Sequence, residues 1–278
     1  MPRGNGRHHR PALGLGCERA YRRCMFFRQI LNDETACASY VFGCNTAGEL
    51  AVVDAHADLV DEYVTAAEAQ GSRIAAVIET HVQADHVSGL PELVERTSAT
   101  AYLPEAAGVD FDHHALADGE LITLGNTVIQ AVATPGHTAA HHAYLVTDHR
   151  RGDEPWMVLT GDALLVGDAG RPDLHAHGEQ TVEEMARVLH RSLTDRLLAL
   201  PDHLLLYPAH YSGSVCGRGL SGHPASTIGF ERRHNDALAF DSEDAFVAAL
   251  IADVPPEPEH QAEIVAANRS GARRSSIA

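Results

Sequence analysis

The sequence predicts an α/β fold of two mixed β-sheets packed face to face, with helices on their outer surfaces. Three observations carry that expectation. Strand-like and helix-like segments alternate, yet without the strict period of βαβ repeats or the uniformity of an all-β chain. The 278 residues are 45% hydrophobic and 21% charged, enough apolar content for a large core, and no repeat or long linker divides them. Four clusters of polar residues each follow an apolar strand-like run, the pattern expected of loops gathered at one edge of a sheet.

The elements follow in order. Residues 1–24 are rich in Arg, Gly and His and lack hydrophobic period, so they read as a disordered extension. Their basic start is not followed by an apolar stretch of signal-peptide length, and secretion is not expected. Met25 opens the first strand-like run, MFFRQIL, and with it a single domain expected over 25–268; residues 269–278 read as a tail. SYVFGC (39–44) and LAVVDA (50–55) read as strands around a turn. Residues 57–70 place Leu59, Val60, Tyr63, Val64 and Ala67 on one helical face. RIAAVIET (73–80) is a buried strand, 87–97 a helix, and TAYLP (100–104) a strand. Residues 120–134 form a strand pair about Gly125-Asn126, and 142–147 and 156–162 are strands. A long amphipathic helix is expected over 180–199, a last strand over 204–210, and helices over 243–251 and 259–268.

Charge and cysteine usage narrow the function classes. Lys+Arg of 21 against Asp+Glu of 38 leaves a formal net charge of −17, which argues against nucleic acid or an anionic membrane as the main partner. No apolar run approaches the roughly 18 residues of a membrane span. The cysteines at 17, 24, 37, 44 and 216 form no CxxC pair, so neither a disulfide framework nor a thiolate zinc site is indicated. Reduced thiols in the cytoplasm are the expected state. The 19 histidines are more telling, because many sit beside Asp and Gly in short clusters.

Those clusters are Thr80-His81-Val82-Gln83-Ala84-Asp85-His86, Thr134-Pro135-Gly136-His137-Thr138, Thr160-Gly161-Asp162 and Tyr207-Pro208-Ala209-His210. A strand positions the first residues of the loop that follows it, so four such loops can bring their side chains together. Gly136 and Gly161 precede their polar neighbours, as tight turns or close backbone approach require. One histidine after a strand is ordinarily a solvated loop residue; four clusters in this order argue for a shared site.

The run T-H-x-x-A-D-H, then T-P-G-H-T, T-G-D and Y-P-A-H resembles the metallo-β-lactamase fold superfamily over roughly residues 25–240. The resemblance implies an αββα sandwich with metal held at one edge of the two sheets. Dinuclear zinc hydrolases of that superfamily carry T-H-x-H-x-D-H, whereas this chain has Gln83 at the second histidine. A neutral amide is a poorer donor to zinc than imidazole. The persulfide dioxygenase branch accommodates the change. Its iron ligands correspond to His81, His137 and Asp162, a two-His, one-carboxylate set associated with non-haem Fe(II) oxygenases. Gln83 would then be a hydrogen-bonding group beside the metal.

The segments 159–174, 198–210 and 212–235 also resemble the catalytic domain of persulfide dioxygenases, particularly those fused to rhodanese domains. No rhodanese domain is expected within this chain, so a sulfurtransferase step would fall to a separate protein. The resemblance implies one Fe(II) per chain, with Zn(II) the alternative. It further implies oxidation of a low-molecular-weight thiol persulfide by O2 to sulfite and thiol, and a homodimer. Asp85, His86 and His210 match the second metal site of dinuclear relatives and would here orient ligands or substrate. Arg171 is the leading candidate to grip a substrate carboxylate bidentately. Arg218, Arg232 and Tyr207 are further substrate-contact candidates. His141 and His142 read as local structure, and Cys216 as a structural thiol, because nothing pairs it with a base. A zinc-dependent thioester hydrolase of the glyoxalase II type and a catalytically silent binding protein are the competing readings.

Overall fold

The computed structural model describes residues 25–174, 181–212, 221–252 and 260–272. The expected disordered extension, Cys17, Cys24, Cys216 and Arg218 lie outside these residues. The first sheet contains β1 (Met25–Asn32), β2 (Cys37–Cys44), β3 (Glu49–Val53), β4 (Arg73–Ile78), β5 (Thr100–Pro104) and β6 (His114–Leu116), neighbours in that order. The second contains β7 (Leu121–Leu124), β8 (Thr127–Ala133), β9 (His142–Asp148), β10 (Met157–Gly161), β11 (Leu205–Pro208) and β12 (Ser226–Thr227). Both are mixed. The first three strands pair antiparallel and β3 to β6 run parallel. In the second sheet β10 and β11 are the parallel pair.

Side-chain alternation explains the layers. Along β2, Tyr40 and Phe42 point between the sheets, where they meet Ile129, Tyr144, Met157 and Leu159 of the second sheet. Val41 points the other way, with Leu50, Val52 and Val77, against Val60, Tyr63 and Ala67 of helix α1 (Val60–Ala69) and Leu90 and Leu93 of α2 (Leu90–Thr97). The second sheet is covered likewise. Leu145, Val158 and Leu206 pack under Ala186 and Leu189 of α3 (Val182–Arg191), Leu193 and Leu197 of the π-helical continuation Ser192–Leu197, and Phe246 and Leu250 of α5 (Glu243–Ala252). With both faces buried, the central strands read as continuous apolar runs.

The expected elements form, with local differences. The 180–199 helix starts at a Thr181/Glu184 capping box and ends as the π-helical segment. The helix expected at residue 87 begins at Leu90, because Ser88 is held in a loop. Three short elements had no periodic signal: β6, β12 and α4 (Ile228–His234). The last helix, α6 (Gln261–Ser270), runs two residues into the expected tail.

Candidate metal centre

Strand order sets the position of each functional side chain. In the parallel pair β10/β11, Gly161 is opposite Pro208, so Asp162 and His210 leave adjacent strand ends. In the parallel pair β3/β4, Val53 is opposite Ile78, which brings Asp54 beside Thr80. The loop between β8 and β9 is closed by Thr134 N donating to the His141 carbonyl at 2.9 Å, and it carries His137. Both turn glycines have positive φ, +135° at Gly136 and +53° at Gly161. A bridge between Cys37 and His210 joins the edges of the two sheets. These ends are the carboxyl ends of parallel strands, where α/β sheets commonly bind ligands.

His81, His137 and Asp162 converge, all three buried, with one donor atom of each within 4.8 Å of the others. Asp162 Oδ2 lies 3.6 Å from His137 Nε2 and 4.0 Å from His81 Nε2. Donors that share an ion at bond lengths of about 2.1 Å stand roughly 3–4 Å apart, so the spacing suits a common metal. The tautomers agree. The Arg171 carbonyl lies 2.8 Å from His137 Nδ1, which must therefore donate, leaving the Nε2 lone pair to face Asp162. Thr80 Oγ1 donates to Asp54 and accepts from His81 Nδ1 at 2.9 Å, which likewise frees the His81 Nε2 lone pair. Burial, only partly opposed by the Asp162 charge, lowers the His137 pKa and keeps the ring neutral. Burial raises the Asp162 carboxyl, but His210, His137 and His81 together hold it below the usual carboxylate range.

A second group adjoins the first. His210 Nδ1 is 2.7 Å from Asp162 Oδ1, and its Nε2 is 2.7 Å from Asp85 Oδ2 and 3.3 Å from Cys37 Sγ. His86 Nδ1 is 3.1 Å from Asp85 Oδ1 and 3.6 Å from Cys37 Sγ. Burial raises the Cys37 thiol, but His86 and His210 bring it below its ordinary value. Donors of Cys37, Asp85, His86 and His210 also fall within 4.8 Å of one another, so this sulfur, oxygen and nitrogen set can hold an ion too.

Gln83 donates Nε2 to Asp54 Oδ1 at 3.3 Å, so its amide is tied to the carboxylate that also orients Thr80. Gln83 Oε1 and Glu79 Oε2 are buried without a hydrogen-bond partner and line a cavity of about 10 Å³, room for one water. Burial, reinforced by the Asp54 charge, pushes the Glu79 carboxyl up to about 8. His141 is local structure: the Asp162 N–H donates to its Nε2 at 3.1 Å, and its Nδ1 is 2.8 Å from Thr134 Oγ1. His142, buried at the start of β9, is in neither donor group.

The substrate-contact candidates are placed differently. Arg171 is buried, and its guanidinium makes a bidentate pair with Asp173 at 2.9 and 2.6 Å; an internal carboxylate occupies the fork expected to grip substrate. Arg232 is not brought to the centre. It bonds Asp202 and the carbonyls of Leu198 and Leu200 at the opposite end of β11. Tyr207 packs on Phe27 and Tyr40 between the sheets, with ring centroids at 4.8 and 5.7 Å. Two residues of the site escaped the sequence reading. Asp54 ends an apolar run, as the four clusters do, so the same rule finds it. Cys37 opens a strand with no distinguishing neighbour, and only pairing between the sheets brings it to His210.

Comparison with known proteins agrees with this geometry. Residues 32–210 match the family model described as the metallo-beta-lactamase superfamily. The mitochondrial persulfide dioxygenase ETHE1 of Bos taurus is 27% identical over 88% of this chain and 87% of its own. A hydroxyacylglutathione hydrolase of Methylobacterium nodulans is 33% identical, over 50% of this chain and 49% of its own. Among solved structures, a metallo-beta-lactamase from Staphylococcus aureus superposes with a TM-score of 0.82 at 32% identity, covering 89% of this chain and 73% of that one. ETHE1 from Myxococcus xanthus superposes with a TM-score of 0.76 at 31% identity, covering 88% and 98%.

Proposed function

The chain belongs to the metallo-β-lactamase superfamily, and from that premise we propose that it is a persulfide dioxygenase that converts a low-molecular-weight thiol persulfide, O2 and water to the thiol and sulfite. The observation that carries this reading is the donor set of His81, His137 and Asp162, beside a Gln83 that stands in neither donor group and donates its amide N–H to Asp54. Two neutral imidazoles and one carboxylate suit a single Fe(II). A ferrous ion on these donors supplies the redox chemistry by which dioxygen oxidises a terminal sulfur.

The chain's own residues do the rest. Asp54, through Thr80, holds His81 in the tautomer that offers Nε2. The Arg171 carbonyl does the same for His137. His210 bridges Asp162 and Asp85, so it fixes the carboxylate plane and its charge. The relatives that extend over most of this chain include persulfide dioxygenases and a probable metallo-hydrolase of Burkholderia pseudomallei, 31% identical over 78% of this chain, whereas the hydroxyacylglutathione hydrolase covers half. The same reading carries a homodimer, a separate rhodanese partner and a cytoplasmic location, although the bovine relative is named as mitochondrial. No helix of the described residues is long and apolar enough to cross a membrane.

A zinc-dependent thioester hydrolase is the second reading, favoured by the four-donor group around Cys37. Metal analysis with oxygen uptake on glutathione persulfide separates the two. Iron with oxygen consumption and sulfite release supports the dioxygenase; two zinc ions with thioester cleavage and no oxygen uptake support the hydrolase. His81→Ala, His137→Ala and Asp162→Ala each abolish iron retention and turnover, and full activity in any one defeats the ligand assignment.

A further inference from the structure

The segment from His81 to Ser88 carries one metal donor of the first group and two of the second, yet it has no regular secondary structure. Its backbone is ordered from outside. Asn268, buried on α6, donates Nδ2 to the Gln83 carbonyl at 3.0 Å and to the His86 carbonyl at 2.9 Å, and its Oδ1 accepts from Ser88 N at 2.9 Å. Both amide hydrogens and one oxygen lone pair are therefore spent on one six-residue segment, 83–88. The turn is fastened on its other side by Ser88 Oγ, which donates to Glu79 at 2.6 Å and accepts from Leu90 N.

The same helix reaches the opposite loop of the site. Gln261, the buried first residue of α6, donates Nε2 to the Leu174 carbonyl at 2.6 Å. That loop also contains Arg171, whose carbonyl orients His137. One helix thus ties the His81 loop to the loop behind His137, and it lies wholly beyond residues 32–210 that match the family model.

We propose that α6 is a clasp for the metal centre, in which Asn268 is a positioning residue that holds the His81–His86 loop in the conformation that receives the ion. The proposal rests on the assignment of the metal to His81, His137 and Asp162. Its physical basis is preorganisation. Ordering a loop costs backbone entropy, and a clasp that has already ordered it spares metal binding that cost.

The test uses the full chain stripped of metal, with zinc(II) as the probe ion because it brings no oxygen chemistry. Zinc affinity is measured by chelator competition, and amide hydrogen exchange is measured without metal, in the parent, Asn268→Ala, Asn268→Asp and His81→Ala. Asp keeps the shape and the acceptor for Ser88 N but removes both donors. Both Asn268 variants are expected to bind zinc about 10–100-fold more weakly. The amides of 83–88 are expected to exchange faster, with β4 and β10 as protected as in the parent.

Zinc affinity equal to the parent's in both variants, even with a lowered melting temperature, reduces Asn268 to a packing role and overturns the clasp. Unchanged exchange over 83–88 overturns it as well. A His81→Ala variant that binds as many zinc ions as the parent, and equally tightly, defeats the metal assignment instead. If Asn268→Ala does not fold, Asn268→Ser keeps one donor and is expected to lose an intermediate amount.

Discussion

Replacing Gly136 by alanine tests how the fold positions His137. A Cβ at this position would lie 2.3 Å from Leu189 Cα and 2.4 Å from both Leu189 N and Cβ. Carbon atoms pack at about 3.5–4.0 Å, so the loop and α3 would have to separate by more than an ångström. Leu189 is fully buried in the cluster with Leu193, Leu206 and Phe246, and the clash is with helix backbone that no rotamer change relieves. Overpacking of this kind costs about 1–3 kcal/mol. The φ of +135° adds a further cost of about 1–3 kcal/mol for a residue with a side chain. The expected loss is therefore about 2–6 kcal/mol, a large part of the roughly 5–15 kcal/mol that holds a domain folded. Urea unfolding of the metal-free protein measures it. Gly119→Ala is the control, because its φ is +81° but nothing lies within 4 Å of the added carbon. It isolates the conformational cost, about 1–2 kcal/mol. If Gly136→Ala is no less stable than Gly119→Ala, the close approach of α3 to the His137 loop is not real.

Three further outcomes are expected. Gln83→Ala leaves Asp54 with Thr80, whereas Gln83→His should keep the fold, seen by circular dichroism, and raise zinc per chain in metal analysis; unchanged metal content would mean that Gln83 does not select the metal. The raised Glu79 carboxyl predicts a pH slope in the metal-free protein. Between an ordinary carboxyl value near 4.5 and about 8 the folded state holds a proton that the unfolded state has lost, so stability falls as pH rises through that window. Glu79→Gln should flatten that slope between about pH 6 and 8 in urea titrations, because Asp54, pushed by burial up to about 6, adds a slope of the same sign only below that; an unchanged slope above about pH 6 would assign it to other groups. Arg232→Ala should cost about 1–3 kcal/mol through the lost bonds to Leu198, Leu200 and Asp202, with KM for the persulfide unchanged. A raised KM at unchanged stability would return Arg232 to the substrate site.

Residues that act locally were legible. The run AAVIE before His81 and VIQAVA before His137 announce strands that end in chemistry, and the structure ends β4 and β8 there. Asp54 follows LAVV by the same logic and was readable. The arginines were not, because a guanidinium takes whichever carboxylate or carbonyl the fold puts in reach. Arg171 meets Asp173, and Arg232 meets Asp202 across thirty residues of chain.

By itself the sequence determined the strands and the loops that follow them, with His81, His137 and Asp162 in those loops, because alternating burial and a polar residue after an apolar run are properties of a few neighbouring residues; the grouping of these three as one ligand set came from the family resemblance. Tertiary structure alone decided that Cys37 meets His86 and His210, that Gln83 turns to Asp54, and that Asn268 closes on the loop after His81. Those contacts join segments 29 to 185 positions apart, and local pattern carries no record of which distant strand end or helix face will be adjacent once the two sheets have packed.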